Sequence, residues 1–173
     1  MTTPDTTPPS VRLTTRSNFV FTVRPSTAED AGPLLAFFEG VSLEDLRFRF
    51  FTSVAHVRPE QIATLIDVDH HKTENFLAFA EDGSLVATAM LACDPSFESA
   101  EVAIAIRQDH KGLGIGWTLL DYVARQARER GVKRLLSIES RDNHSAIELE
   151  REMGFSARED PDDPSLVVLE TRF

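Results

Sequence analysis

Between Ala100 and Leu120 the chain reads AEVAIAIRQDHKGLGIGWTLL. An apolar, strand-like run ends at Arg107. Three glycines, Gly112, Gly114 and Gly116, follow it, and then Trp117, Leu120, Val123, Ala124 and Ala127 recur at helical spacing until Gly131. The segment therefore reads as strand, glycine-rich turn, helix. Glycine lets the backbone approach a ligand closely and adopt positive φ. A helix N-terminus offers unpaired N–H groups and a positive dipole end, which suits a pyrophosphate, and Lys111 adds a positive charge. The same string also serves as a plain tight turn. A Walker loop would need Lys-Ser or Lys-Thr after its last glycine, where Trp117-Thr118 stand. A dinucleotide site would need G-x-G-x-x-G and an acidic residue about 20 positions on. Neither spacing fits.

Upstream, residues 19–24 (FVFTVR) alternate as a strand that Pro25 ends. Ser26 precedes Glu29 at capping-box spacing, which predicts a helix through Leu34, Leu35, Phe37 and Phe38 to Gly40. Ser42 and Asp45 open a second helix from Leu43 to about Phe51, and Pro59 suits the first turn of a third, ending at Ile66. Residues 75–80 and 85–93 flank Asp82-Gly83, a hairpin signal. Downstream come a strand over 135–139, a helix over 143–153 and a strand over 166–171. This order predicts one α/β (α+β) domain, with a mixed, mostly antiparallel central sheet flanked by helices on both faces. The hairpin argues against a Rossmann fold, in which helices separate nearly all strands.

With 173 residues the chain suits one domain. Residues 1–15, rich in Thr and Pro, are expected to be a disordered tail, and residues 16–173 the folded domain. A net charge of −10 argues against nucleic acid or anionic membrane as partner and favours a cationic substrate. The single cysteine, Cys93, excludes an internal disulfide and fits a reducing compartment. It sits in an apolar run and reads as core. No apolar run approaches the roughly 20 residues of a membrane span, and no signal-peptide core is present, so a cytoplasmic location is expected. His70-His71 lacks partners at zinc spacing, and no metal is expected.

Lys111-Gly112-Leu113-Gly114-Ile115-Gly116 resembles the Arg/Gln-x-x-Gly-x-Gly/Ala signature of GNAT acetyltransferases, with Lys111 in place of the usual Arg or Gln. Leu119-Leu120 follows at the family's spacing, and Asn143, Ala146, Leu149 and Gly154-Phe155 resemble its Asn-x-x-Ala…Gly-Phe run. The resemblance implies acetyl-CoA as cosubstrate. It implies that the N–H groups of residues 113–116 hold the pyrophosphate, that the backbone of Ile104, Ala105 and Ile106 bonds the pantetheine arm, and that Asn143 lies beside that arm. The stretch Leu46-Arg47-Phe48-Arg49-Phe50-Phe51 and residues 100–107 are similar to Pat-type bacterial protein lysine acetyltransferases, which silence acyl-CoA synthetases by acetylation. In that group the residue matching Glu101 is the general base. Many GNAT enzymes place a tyrosine acid seven positions after the helix asparagine. Here Glu150 occupies that position, and the single tyrosine, Tyr122, lies in a different helix.

The chemistry sets its own demand. An alkyl amine is protonated at neutral pH and must lose a proton before it can attack a thioester. Glu101 opens the strand ahead of the glycine loop, and strand alternation puts it on one face with Ala103 and Ala105, leaving room for a ligand. A solvent-facing glutamate at a strand end would look the same in sequence, and Glu98 and Asp94 are rival carboxylates. Three functions remain open: a protein lysine acetyltransferase, a small-molecule amine N-acetyltransferase, and a non-catalytic acyl-CoA-binding sensor. Glu101 argues against the last. The acidic loop at residues 160–163 is either a solvated turn or an attractor of basic acceptors.

Overall fold

The computed structural model describes residues 9–50 and 57–173. Most of the tail and Phe51 lie outside that set, as do the side chains of Arg47, Phe48 and Phe50. The described residues form an eight-stranded sheet in the order β1-β2-β3-β4-β5-β6-β8-β7. Its strands are β1 (Val11–Thr14), β2 (Val20–Pro25), β3 (Thr73–Ala80), β4 (Leu85–Cys93), β5 (Ser99–Ile106), β6 (Arg134–Ser140), β7 (Ser156–Glu159) and β8 (Leu166–Arg172). Every pairing is antiparallel except that of β5 with β6. The helices are α1 (Ala31–Glu39), α2 (Leu43–Phe50), α3 (Pro59–Ile66), α4 (Ile115–Glu129) and α5 (His144–Glu152).

The two sheet faces carry separate cores. On one, Ile115, Leu119, Leu120 and Val123 of α4 pack on Phe21, Phe76, Leu91 and Val102. On the other, Leu34, Phe37 and Phe38 of α1 and Ile62 of α3 pack on Leu77 and Ala105. Val102 and Ala105 fall in different clusters, as strand alternation requires.

Two strands were not visible in the sequence. Val11–Thr14, placed in the expected tail, pairs with β2 over its whole length. Ser156–Glu159 pairs with β8. Both are four-residue edge strands, mostly exposed: Val11 and Leu13 alternate too briefly to stand out, and Ser156–Glu159 holds one apolar residue. The first capping box also falls one residue later than expected. The Thr27 amide donates to Asp30 Oδ2 at 2.7 Å, ahead of a short 3₁₀ turn that leads into α1, while Ser26 is fully buried. The second cap is where the sequence put it, with Ser42 Oγ accepting the Asp45 amide at 3.1 Å.

Candidate active site

β5 and β6 pair as parallel strands only from Ser99↔Arg134 to Glu101↔Leu136. β5 continues to Ile106, still paired with β4, and β6 continues to Ser140, still paired with β8. The sheet therefore opens into a V whose vertex lies at Glu101 and Leu136. Beyond it, the β5 edge that faces β6 has no strand partner among the described residues, although its peptide groups still require hydrogen bonds. A cleft of about 450 Å³ fills this opening and runs to the glycine loop. It is lined by Glu101 through Ile106 and by Ser137, Ile138 and Glu139, with Asn143 and Glu150 of the α5 segment beside them.

The loop closes the other end. Lys111, Gly112, Gly114, Ile115 and Gly116 line the cleft. Leu113 does not: its carbonyl accepts Ser17 Oγ at 2.6 Å and its side chain packs on the α4-side core. Gly112 and Gly114 adopt φ of 77° and 84°, the left-handed region that favours glycine. Gly114 is the N-cap of α4, so the first N–H groups of that helix are directed at the loop. A Cβ on Gly116 would come within 3.3 Å of Ile106 Cδ1, so the start of α4 packs closely on β5. A Cβ on Gly114 would come within 3.2 Å of Thr15, which is 4% exposed. Thr15, which the sequence reading left in the tail, thus braces the loop together with Ser17. Lys111 Nζ is in an ion pair with Asp45 of α2, which ties the loop to the opposite sheet face.

Four ionisable side chains meet around the vertex. Glu101 is accessible in the cleft. Partial desolvation by the cleft walls raises its pKa above the ordinary value, and the Arg49 guanidinium opposes that rise. Arg49 is deeply set, which weakens its hold on a proton, while Glu101 and Glu139 support its charge. On β6, Ser137 Oγ donates to Glu139 Oε1 at 2.9 Å, and Asn143 Nδ2 donates to Glu139 Oε2 at 3.1 Å. Glu150 lies next to this pair, 4% exposed. Burial, reinforced by the Glu139 charge, pushes its pKa up to about 8.

Sequence reasoning missed Ser137, Glu139 and the buried state of Glu150. One signal was present: Glu150 follows Ala146 by four residues and precedes Met153 by three, which puts it on the inward stripe of α5. The rival carboxylates do not line the cleft. Asp94 accepts hydrogen bonds from Ser96, Ser99 and the Glu98 amide and so shapes its own turn, and Glu98 is exposed. The acidic loop is likewise a turn, with Asp160 accepting the amides of Asp162 and Asp163 and Asp163 accepting Ser165. Tyr122 stacks edge-on against Phe76 at 5.4 Å, away from the cleft. Cys93 is buried, and burial pushes its thiol pKa up. His70 pairs with buried Glu74 at 2.8 Å.

A split parallel pair, a glycine-capped helix and a carboxylate at the vertex thus meet around one cleft. The model of the acetyltransferase (GNAT) family matches residues 41–155. An acetyltransferase from Pseudomonas aeruginosa is 29% identical over 149 residues, covering 84% of this chain and 80% of that protein. The crystal structure of the GNAT domain of S. lividans Pat superposes with a TM-score of 0.87 at 26% identity, covering 95% of this chain and 97% of that one. The cAMP-binding acyltransferase from Mycobacterium smegmatis shares the fold, with a TM-score of 0.65 at 20% identity over 95% of this chain and 47% of that one. With the family match spanning most of the chain and the split sheet beneath it, this protein belongs to the GNAT family and is an N-acetyltransferase.

Proposed function

We propose that the chain transfers the acetyl group of acetyl-CoA to a lysine side chain of a protein, with an acyl-CoA synthetase as the first candidate, in the cytoplasm. The observation that carries the reading is the opening of β5 from β6 directly beyond Glu101. In this reading the pyrophosphate rests on the N–H groups of residues 113–116, at the positive end of α4. The pantetheine arm lies on the open edge of Ile104, Ala105 and Ile106 beside Asn143, and replaces the missing strand as hydrogen-bond partner. That course brings the thioester to the vertex, next to Glu101.

A lysine ammonium has an unperturbed pKa of about 10.4 and needs a base. Glu101 takes that proton, directly or through one water, and the neutral amine attacks the thioester carbonyl. Partial desolvation brings the carboxylate closer to the working pH and makes it a better base than an ordinary surface glutamate. Among the described residues, the carboxyls of Glu101 and Glu139 both act on the Arg49 guanidinium at the vertex, a balance that favours a cationic acceptor. The likeness to the S. lividans Pat domain supports a protein acceptor.

Incubation with acetyl-CoA and a purified acyl-CoA synthetase, followed by mass spectrometry, should find one dominant acetyl-lysine and loss of synthetase activity. If useful rates are reached only with free amines such as polyamines or amino sugars, the acceptor is a small molecule and the protein-lysine reading falls.

A further inference from the structure

Glu150 is a buried titratable group that the steps above leave without a role. We propose that Glu150 holds the proton that the departing CoA thiolate takes up, and that Glu139 is the positioning residue that keeps this proton in place. The proposal rests on the acetyl-transfer reading and adds the second half of its proton traffic.

Placement is the first argument. Leu136 is the last residue of β6 paired with β5, and Ser137 is the first residue beyond the vertex. Glu150 lies in contact with Ser137 and Glu139 and forms part of the cleft wall. Glu139 shares a sheet face with Ser137 and with Leu135, which packs in the α4-side core. Glu101 shares the opposite face with Ala105, which packs under α1 and α3. The two carboxyls thus approach the vertex from opposite faces of the sheet: Glu101 stands on the side of α2, and Glu150 on the side of α5.

The second argument is where the proton must sit. Both oxygens of Glu139 accept hydrogen bonds, one from Ser137 and one from Asn143, as a carboxylate requires. Glu150 is only 4% exposed, and its Oε2 has no hydrogen-bond partner among the described residues. Two buried carboxylates in contact cannot both ionise cheaply, so the partner with fewer hydrogen bonds to its oxygens keeps the proton. Burial pushes up the pKa of both carboxyls, but the hydrogen bonds from Ser137 and Asn143 oppose the rise at Glu139, while at Glu150 the Glu139 charge adds to burial and brings it to about 8. Charged groups on the neighbouring elements do not alter this. Arg49 of α2 acts on Glu139. Glu170 of β8 pairs with Arg134 and Arg172, Glu159 of β7 pairs with Arg141, and Arg158 is exposed.

The step balances. Glu101 takes one proton from the ammonium, and the neutral amine forms the new C–N bond. Collapse of the tetrahedral intermediate breaks the C–S bond, and the electron pair leaves with sulfur. Glu150 gives its proton to the thiolate, which departs as the CoA thiol. The nitrogen sheds its second proton, which returns through water to Glu150, and the proton on Glu101 passes to solvent. Acetyl-CoA and an ammonium thus yield an amide, CoA thiol and one released proton.

The test compares wild type with Glu150→Gln and Glu139→Gln, using acetyl-CoA and Nα-acetyl-lysine amide as the amine probe and following thiol release from about pH 6 to 9.5. Infrared spectra of the unliganded proteins should show a protonated carboxyl at neutral pH in wild type that titrates near pH 8 and is missing from Glu150→Gln. Wild-type kcat should fall on the alkaline side as Glu150 loses its proton. Glu150→Gln should lose about 10²-fold or more in kcat, show no such alkaline limb, and keep its KM for acetyl-CoA. Glu139→Gln removes the neighbouring charge and should move the limb to lower pH. Folding raises the Glu150 pKa from 4.5 to about 8. The stability tied to this group is therefore complete below pH 4.5 and is lost as pH rises towards 8, whereas the Glu150→Gln side chain cannot ionise and that variant should fold at least as well there. No protonated carboxyl in wild type, or a fall in kcat that is equal at every pH, overturns the proposal. Absence of thiol release by the wild type, both with this probe and with a purified acyl-CoA synthetase, overturns instead the lysine-acceptor reading beneath it, while the infrared arm still decides where the proton sits.

Discussion

Glu101→Gln should lower kcat by about 10²–10⁴-fold, the usual worth of general-base catalysis, with the affinity for acetyl-CoA nearly unchanged. Glutamine keeps the size and the hydrogen-bonding capacity of the side chain but cannot take the ammonium proton. In the proposed reading the donor is held by residues further along the chain, at Ile104–Ile106 and the glycine loop, so binding should not depend on this carboxyl. The pH profile adds a sign. Glu101 works as a base only when ionised, and partial desolvation raises its pKa from the ordinary value, with Arg49 opposing the rise. Wild-type kcat/KM should therefore fall as the pH drops through that raised pKa, and the mutant should lack this acidic limb. Near-normal turnover would shift the role to bulk water. Lost acetyl-CoA affinity would make Glu101 structural.

The second large effect is electrostatic and is expected at Gly112. Its φ of 77° is a conformation that asparagine and aspartate tolerate better than other side chains, and no atom lies within 4 Å of a Cβ built there. Gly112→Asn and Gly112→Asp therefore share the same modest backbone cost and differ by one negative charge at the mouth of the proposed pyrophosphate site. A close like-charge pair costs about 1–4 kcal/mol in surroundings between water and a protein surface. Calorimetry at low salt should find acetyl-CoA bound about 10-fold or more weakly by the Asp variant than by the Asn variant. Added salt should narrow the gap. Equal affinities would mean that the pyrophosphate does not sit at this loop.

Local patterns made part of this site readable and left the rest hidden. Gly112, Gly114 and Gly116 announce the loop because each must meet a backbone demand within one short segment. Glu101 stands out because a carboxylate opens an otherwise apolar strand just ahead of that loop. The Asp82-Gly83 turn settled the antiparallel character of the sheet, and Gly83 does adopt φ of 87°. The Glu139–Glu150 contact joins a strand and a helix that each show only an ordinary charged residue, so spacing says nothing of their meeting. Asn143 was expected beside the pantetheine arm. It does line the cleft, but its amide also donates to Glu139, a bond that no motif encodes. The brace of Thr15 and Ser17 against the glycine loop was hidden for the same reason, since it joins residues far apart in the chain. The aromatic segment that resembles Pat-type enzymes keeps its Arg49 in the cleft wall.

A crystal structure of the protein with acetyl-CoA tests the central claim most directly. The account predicts pyrophosphate oxygens within hydrogen-bond distance of the N–H groups of residues 113–116. It also predicts pantetheine amides paired with the backbone of residues 104–106 in the V between β5 and β6, and a thioester at the vertex with Glu101 on one side and Ser137 and Glu150 on the other. A pyrophosphate bound away from the glycine loop, or a thioester remote from both carboxyls, would contradict it.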